Sequence, residues 1–484
     1  ALSARIYRHY GDNAIAIITD NPYRLCEEVW GIGFKTADKV ATSLGIPHES
    51  NIRARAGMVY VMQCVVDEGH CFCPVPELML KAEQLLGIPV EVLADALAHE
   101  TARGTLVKED NVIYPSSVFE SETSVAREIG RLSKTMSQHR AIESEKAIEW
   151  AQSRMHVEFE TLQISALRLC LMEKIAIITG GPGVGKTTII KAIVEIFSKR
   201  KMKVLMAAPT GRAAKRMEDA TGVPAKTIHR LLKFVPRLNR FTHDASNRLE
   251  GDVFILDEVS MIDINLMRNF LEAIPDGSRL ILVGDTDQLP SVGPGNVLRD
   301  MIESGTVKCQ ELKKIFRQES GGQIIRNAHL INEGERLNLS RTEEDSDFYF
   351  IDAYQPDDVI SKMLELVTKR IPAKFGFDPM TEIQVLTPMR KNILGADNLN
   401  IILQNTLNPS GESVQNFGRK YRAGDRVMQI RNNYDKDVFN GDIGIIHSLD
   451  TEERALRIDF DGRYVKYDFA DLDELVHAYA CSIH

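Results

Sequence analysis

Five short apolar runs, separated by stretches with helical spacing, mark the middle of the chain. They are IAIIT (175–179), KVLMAAP (203–209), VFILDE (253–258), RLILVGD (279–285) and IQVLTP (383–388). Runs that are apolar throughout and alternate with helices are typical of a parallel β-sheet covered on both faces. The pattern therefore predicts an α/β fold from about residue 151 onward.

The flanking segments follow other patterns. Short helices broken by glycine turns are predicted near the N-terminus, and a mainly helical connector domain follows them. Between about 415 and 470 the apolar residues alternate every second position, which predicts a small β-barrel inserted in the second half of the chain. We therefore expect four parts, with these bounds: 1–50, 51–150, 151–316 and 317–484.

Composition narrows the class of protein. The 484 residues are 44% hydrophobic and carry a net charge of -9. No apolar run approaches the roughly 18–20 residues of a membrane helix, and the first residues lack a signal peptide's apolar core, so we expect a cytoplasmic protein without a membrane partner. Seven scattered cysteines predict reduced thiols rather than a disulfide framework. The acidic balance argues against a histone-like DNA binder but leaves room for a local basic groove.

Two N-terminal motifs each allow two interpretations. The glycines of Gly31-Ile32-Gly33 permit a tight turn at a helix N-terminus, which is either a helix-hairpin-helix clamp for DNA phosphates or a helical hairpin used only for packing. His70, Cys71 and Cys73 lie close together in the sequence. They lack the second ligand pair of a structural zinc site, so we favour buried thiols.

The strongest local signal is GGPGVGKT, which lies between the strand IAIIT and a helix. Glycines let backbone N–H groups surround the phosphates of a nucleotide, Lys186 supplies positive charge to the γ-phosphate, and the Thr187 hydroxyl can bind Mg²⁺. An ordinary glycine-rich turn is the alternative. The predicted nucleotide-binding residues of this segment are Gly180, Gly181, Pro182, Gly183, Val184, Gly185, Lys186, Thr187 and Thr188.

Two acidic residues follow the strand at 253–258. A phosphate-loop NTPase needs one carboxylate to hold Mg²⁺ and a second to orient the attacking water, and we assign these roles to Asp257 and Glu258. An acidic pair at a strand end is otherwise a solvated cap. Because it follows a phosphate loop here, we interpret the pair as catalytic.

Two further residues are candidates for sensing the γ-phosphate. Gln288 lies on the loop after the strand at 279–285, where a neutral amide could detect the γ-phosphate and relay its loss. Arg317 follows the first sheet and could stabilise the transferred charge from a second lobe. An isolated arginine is usually a surface residue, and that is the alternative here.

Eight blocks of this sequence together resemble the RecD-like branch of superfamily 1 DNA helicases. They occur in the same order as in the family, from about residue 160 onward: GGPGVGKTT, APTGRAAKRM, TIHRLL, ILDEVSMID, VGDTDQLPSVGPG, IFRQ, VLTPMRKNILGADNLN and VMQIRNNYDKDVFNGDIG. The N-terminal stretches NPYRL and WGIGFKTAD look like the longer stand-alone members of that family.

The resemblance implies two RecA-like parallel-sheet lobes with ATP and Mg²⁺ between them, and 5′ to 3′ movement on single-stranded DNA. It implies that Gln163 reads adenine, that residues 234–249 form a strand-separating β-hairpin, and that the duplex substrate carries a 5′ single-stranded tail. The residues that the resemblance implies for DNA contact are Thr210, Arg212, Thr227, His229, Arg390 and His484.

The ends of the chain depart from the family pattern. HAYACSIH at 477–484 stops short of the family's last motifs, and the N-terminus begins within a motif, so we expect a piece of a longer protein whose second lobe is incomplete. Two alternatives to an active helicase stay open: a nucleotide- and DNA-binding fragment with little turnover, and the helicase part of a conjugative relaxase. The relaxase is disfavoured because these residues show no His-rich metal cluster with a Tyr nucleophile.

Overall fold

The computed structural model describes residues 2–29, 31–136, 139–313, 322–337, 339, 346–416, 418–433, 436 and 438–483. The chain divides into two compact units, and each is described by itself. The first comprises Ala1–Pro209 with Ile228–Ile315, and the second comprises Thr210–Thr227 with Phe316–His484.

The N-terminal part of the first unit is helical with a small antiparallel sheet. Its core is formed by side chains such as Met58, Met62 and Leu78, none of which is measurably exposed. The three strands pair in the order β1-β3-β2. The elements are α1 Leu2–Tyr10, α2 Ala14–Asp20, α3 Arg24–Glu28, α4 Phe34–Ser43, α5 Asn51–Asp67, β1 Cys73–Pro74, α6 Val75–Leu86, α7 Val90–Arg103, β2 Leu106–Glu109, β3 Val112–Pro115 and α8 Ser116–Lys134.

The rest of the first unit contains five parallel strands in the order β11-β4-β10-β9-β5. Every residue of β4, β9 and β10 is buried, as expected of a sheet covered on both faces. The elements of this part are α9 Ser144–Met155, α10 Thr161–Met172, β4 Ile175–Thr179, α11 Lys186–Lys199, β5 Val204–Ala208, α13 Ile228–Leu231, β7 Phe234–Val235, β8 Arg240–Phe241, β9 Val253–Leu256, α14 Ile264–Glu272, β10 Arg279–Gly284, α15 Val297–Glu303 and β11 Lys308–Glu311.

Two details differ from the predicted elements. The edge strand β11 was not predicted, because its four residues, KCQE, carry no apolar run and are partly exposed. The segment 234–249 contains a two-stranded hairpin of β7 and β8, but its strands end at Phe241. The residues after Phe241 form a turn in which Asp244 accepts hydrogen bonds from the N–H groups of Ser246 and Asn247.

The second unit combines helices, one parallel strand pair and a larger antiparallel sheet. Strands β12 and β20 are parallel, and the antiparallel sheet has the order β18-β17-β16-β15-β19. Its elements are α12 Gly211–Thr221, β6 Ala225–Thr227, α16 Gln323–Asn332, α17 Pro356–Glu365, α18 Ile371–Phe375, β12 Val385–Thr387, α19 Ala396–Leu407, β13 Ser413–Asn416, β14 Arg419–Arg422, β15 Arg426–Gln429, β16 Ile443–Asp450, β17 Ala455–Phe460, β18 Arg463–Asp468, β19 Leu475–His477 and β20 Ala480–Ser482.

The inserted β-structure of the second unit runs from β13 to β19, slightly wider than the predicted 415–470. Its core includes Tyr421, Ile458 and Tyr467, which are fully buried. The α/β fold with a helical N-terminal region and an inserted β-domain is thus confirmed. Within the described ranges, no helix combines the length and the apolar character needed to cross a membrane.

Candidate nucleotide and DNA site

The phosphate loop connects the buried strand β4 to helix α11, as predicted. Gly180 has a φ of +151°, and a Cβ at this position would lie 2.5 Å from the carbonyl oxygen of Leu312, next to β11. Any side chain here would collide with backbone, so the loop requires glycine at its entrance. The sequence identifies Gly180 only as part of the motif, whereas the structure shows that the backbone next to β11 leaves no space for a side chain there.

Lys186 begins α11 and lies against the loop that precedes it. Its Nζ donates hydrogen bonds to the carbonyl oxygens of Gly180 and Gly181, the latter at 3.0 Å. Thr187 is exposed, Thr188 is half-buried, and Val184 packs inside. The ammonium and the Thr187 hydroxyl thus lie at the N-terminus of a 14-residue helix, where backbone N–H groups and the helix dipole favour an anion.

Gln163 is buried and braces the same loop. Its Oε1 accepts a hydrogen bond from the N–H of Glu160 at 3.2 Å, and its Nε2 donates to the carbonyl oxygen of Val184 at 3.4 Å. Glu160 completes a capping box at the start of α10 by accepting from the N–H of Leu162. Sequence reasoning missed Glu160, because glutamate is not among the residues that helix N-caps usually favour. The contact of Gln163 with adenine stays a prediction.

Asp257 and Glu258 directly follow β9. Asp257 is only 5% exposed, and its Oδ1 accepts a hydrogen bond from the N–H of Glu258 at 2.9 Å. Glu258 has a φ of +54°, a conformation that non-glycine residues rarely adopt and that concentrates at functional sites. The short helical turn Val259–Met261 follows it. Glu258 therefore leaves the strand in a left-handed backbone conformation, and the two roles assigned to the pair stay predictions.

The residues predicted to bind Mg²⁺ offer chemically suitable oxygens. A threonine hydroxyl and an aspartate carboxylate are the hard donors that this ion prefers. In the part of the chain that the structure describes, no group of three or more His, Cys, Asp or Glu side chains could hold a metal by itself. Thr187 and Asp257 are two such donors, and an ion that they held would be completed by nucleotide phosphates and water.

Gln288 is exposed on the loop after β10. Its Nε2 donates a hydrogen bond to Oδ2 of Asp285 at 3.1 Å, while Oδ1 of Asp285 accepts from the N–H of Asp287 at 3.1 Å. Asp285 is 2% exposed, and sequence reasoning did not single it out. An acidic residue directly after the apolar run LILVG was the signal that could have identified it.

His229 lies at the base of the β7–β8 hairpin. Its ring centroid is 5.6 Å from that of Phe234 and 5.5 Å from that of Phe241. Burial lowers the pKa of His229, although the charge of Asp263 opposes this effect. Burial therefore favours the neutral form of the ring. If it contacts DNA, it does so by stacking or hydrogen bonding rather than as a cation.

The remaining DNA candidates that the structure describes belong to the second unit. Thr210 caps α12 by accepting a hydrogen bond from the N–H of Ala213 at 3.2 Å, and Arg212 is exposed in the first turn. Thr227 is buried, and exposed Arg390 lies 3.6 Å from the carboxylate of Asp397. Their contacts with DNA stay predictions. Arg317 and His484 lie outside the described residues.

Three family models match separate parts of the chain. Residues 1–72 match the HHH domain of ATP-dependent RecD2 DNA helicases, residues 163–294 match an AAA domain, and residues 399–460 match the SH3 domain of ATP-dependent RecD-like DNA helicases. The matches coincide with the helical N-terminal part, the parallel sheet with its phosphate loop, and much of the inserted β-structure.

Two curated relatives extend the match. An ATP-dependent RecD2 DNA helicase of Deinococcus radiodurans is 33% identical over 99% of this chain and 66% of its own length. A RecBCD enzyme subunit RecD of Mycolicibacterium smegmatis is 31% identical over 61% of this chain and 58% of its own length. The chain thus spans roughly two thirds or less of these relatives. A crystal structure of Bacteroides Pif1 bound to ssDNA aligns with 68% of this chain and 83% of that chain, at 20% identity and a TM-score of 0.40.

Proposed function

The chain belongs to the RecD-like family of DNA helicases, and from this premise we propose that it hydrolyses ATP to move 5′ to 3′ along single-stranded DNA. Moving in this direction, it would unwind duplexes that carry a 5′ single-stranded tail, in cytoplasmic DNA repair or recombination. One observation carries the proposal. The phosphate loop, Gln288 and the Asp257–Glu258 pair follow β4, β10 and β9, which are adjacent parallel strands. Their carboxyl ends meet at one edge of the sheet, where ligands of such sheets bind.

Each group at this edge has a distinct task in ATP hydrolysis. Lys186 binds the γ-phosphate, and Glu258 orients the attacking water and accepts its proton. Thr187 and Asp257 would hold Mg²⁺, which would neutralise charge on the phosphate oxygens when bound. Gln288 would sense the γ-phosphate without carrying charge. Arg317, which lies outside the described residues and is not among the groups placed at this edge, would supply positive charge to the transferred group.

DNA would be held by contacts that do not depend on base sequence. Arg212 and Arg390 suit phosphate contacts, as does the hydroxyl of Thr210, whereas neutral His229 suits stacking. The hairpin of β7 and β8 would meet the duplex junction. We also assign Thr227 and His484 to the residues that contact DNA, because they match the family's strand-contacting positions.

Strand displacement on tailed duplexes tests the proposal. With ATP and Mg²⁺, we expect displacement of a duplex with a 5′ single-stranded tail and little displacement of the same duplex with a 3′ tail. Lys186→Ala should abolish displacement of both. Displacement that favours the 3′ tail would contradict the polarity. Binding of ATP and DNA without displacement of either duplex would favour a non-translocating fragment.

A further inference from the structure

The loop that carries Gln288 is held at its far end by the N-terminal part of the first unit. Residues 289–296 connect Gln288 to α15 without forming a helix or a strand. Near the end of this loop, the N–H of Gly295 donates a hydrogen bond to the carbonyl oxygen of Gly69 at 3.0 Å. Gly69 lies just after α5, within the region that matches the HHH domain model.

The loop and the N-terminal part lie close together at Gly295. Gly295 has a φ of +97°, and a Cβ there would lie 3.1 Å from Sγ of Cys71. Cys71 also packs against the hydrophobic core around the parallel sheet. Residues 69–71 therefore contact the loop through both a backbone hydrogen bond and a side chain.

The loop itself is well braced, so a displacement at one end would be carried along it. Ser291 Oγ lies 2.9 Å from the carbonyl oxygens of both Gly293 and Gly295, and the carbonyl oxygen of Pro294 accepts a hydrogen bond from the N–H of Ile264 at 2.9 Å. Pro290 and Pro294 restrict φ at two further positions. Six residues lie between Gln288 and Gly295, and Asp285 accepts a hydrogen bond from the Gln288 amide at the other end.

We propose that Gly69 to Cys71 form a positioning element for Gln288, acting through loop 289–296. The N-terminal part of the first unit thereby sets how Gln288 meets the γ-phosphate. Displacing Cys71 or Gly295 should lower DNA-stimulated turnover while leaving ATP affinity unchanged, because the phosphate loop is untouched. The inference rests on the proposed sensing role of Gln288.

A double-mutant cycle separates this role from simple packing. Cys71→Leu enlarges the side chain that faces Gly295, and Gly295→Ala adds a Cβ from the opposite side. The matched controls are Cys64→Leu, at another half-buried cysteine of the N-terminal part, and Gly305→Ala, at a glycine of φ +64° with open space around its Cβ position. All four variants are made in the wild-type and in the Gln288→Ala background.

We expect Cys71→Leu and Gly295→Ala each to lower the DNA-stimulated kcat by about 2- to 30-fold, the range of typical coupling energies. The dissociation constant for ATP should stay unchanged, and neither variant should lower kcat further when Gln288 is already alanine. Hydrogen exchange of a peptide containing Gly295 should rise in both variants and in neither control. The two substitutions change the contact from opposite sides and independently of each other. The test therefore remains decisive if only one of the two variants folds.

Three results would overturn the inference: an unchanged kcat in a folded variant, the same loss in the Gln288→Ala background, or a parallel loss of ATP affinity. If Gln288→Ala alone turned over like the wild type, its sensing role would be wrong and this inference would fail with it. If Gln288→Ala lost turnover while Cys71→Leu and Gly295→Ala did not, only the positioning role would be refuted.

Discussion

Two polar assemblies, one in each unit, use similar side chains in opposite ways. At the edge of the parallel sheet in the first unit, Thr187 and Gln288 are exposed beside buried strands. In the second unit, the Asp425 carboxylate is fully buried and is enclosed by protein donors. Those donors are the N–H of Arg422 at 2.7 Å, Gln404 Nε2 at 2.6 Å, Asn408 Nδ2 at 2.8 Å and Tyr479 OH at 2.8 Å, with His477 Nε2 at 3.4 Å.

This difference in exposure distinguishes polar groups that stabilise the fold from polar groups that can bind a ligand. Burial by itself raises the pKa of Asp425, but its contact with His477 and the hydrogen bonds from Arg422 and Asn408 outweigh burial and hold that pKa below its ordinary value. A carboxylate enclosed in this way stabilises the fold and cannot serve a ligand. At the sheet edge Thr187 and Gln288 stay exposed, and both belong to the set of residues that we assign to ATP.

Substituting Lys186 should produce the largest change in activity. Lys186→Ala removes a fixed positive charge from the phosphate site, so we expect ATP turnover to fall by at least about 10²–10³-fold. The fold should persist, because the side chain contacts loop carbonyls rather than the core. Steady-state ATPase assays with circular dichroism check both points. Lys191→Ala, at an exposed position on the same helix, is the control, and an equal loss there would contradict the assignment.

Substitutions in the network around Asp425 should change the stability of the second unit rather than ATP turnover. Asp425→Ala leaves buried donors without their acceptor, and we expect it to lower the free energy of unfolding of the second unit by about 3–5 kcal/mol. Urea unfolding followed by hydrogen exchange within β15 to β19 would measure this. Asp468→Ala, at the exposed end of β18, should cost far less. Similar losses for the two variants would mean that the network is not what stabilises this unit.

The same network also makes the stability of the second unit depend on pH, and we expect this effect to be smaller than that of Asp425→Ala. Because the pKa of Asp425 is lower in the folded state than its unfolded value of about 3.9, its stabilising contribution is present above that value and is lost as pH falls through the folded pKa. Unfolding midpoints of the second unit should therefore drop below about pH 4. In Asp425→Asn this drop should be shallower, and an unchanged pH profile would rule out Asp425 as its source.

The smallest effect concerns DNA affinity. Arg212→Ala should weaken binding of single-stranded DNA alike for all sequences, and should reduce the slope of log K against log salt by about 0.7, since one phosphate contact is lost. Fluorescence anisotropy at several salt concentrations measures this slope. Lys466→Ala removes the same charge elsewhere in the second unit and should leave the slope unchanged. A loss that varied with DNA sequence would point to base recognition instead.

The sequence anticipates the sheet edge far better than the buried network. Strands β4, β9 and β10 were predicted because each is an apolar run, and the phosphate loop is contiguous in sequence. The partners of Asp425 are spread from Gln404 to Tyr479, and no spacing links them. Edge strand β11 was not predicted either, because pairing with β4 rather than an apolar run determines it.

The dependence of ATP turnover on DNA length tests the central claim most directly. A translocase hydrolyses ATP at each step, so steady-state turnover at saturating single-stranded DNA should rise with strand length and then level off as stepping comes to dominate each encounter. The account predicts this rise for the wild-type chain and its loss in Lys186→Ala. Turnover that is stimulated equally by every strand long enough to fill the binding site would contradict it, since that is the behaviour of a stationary ATPase.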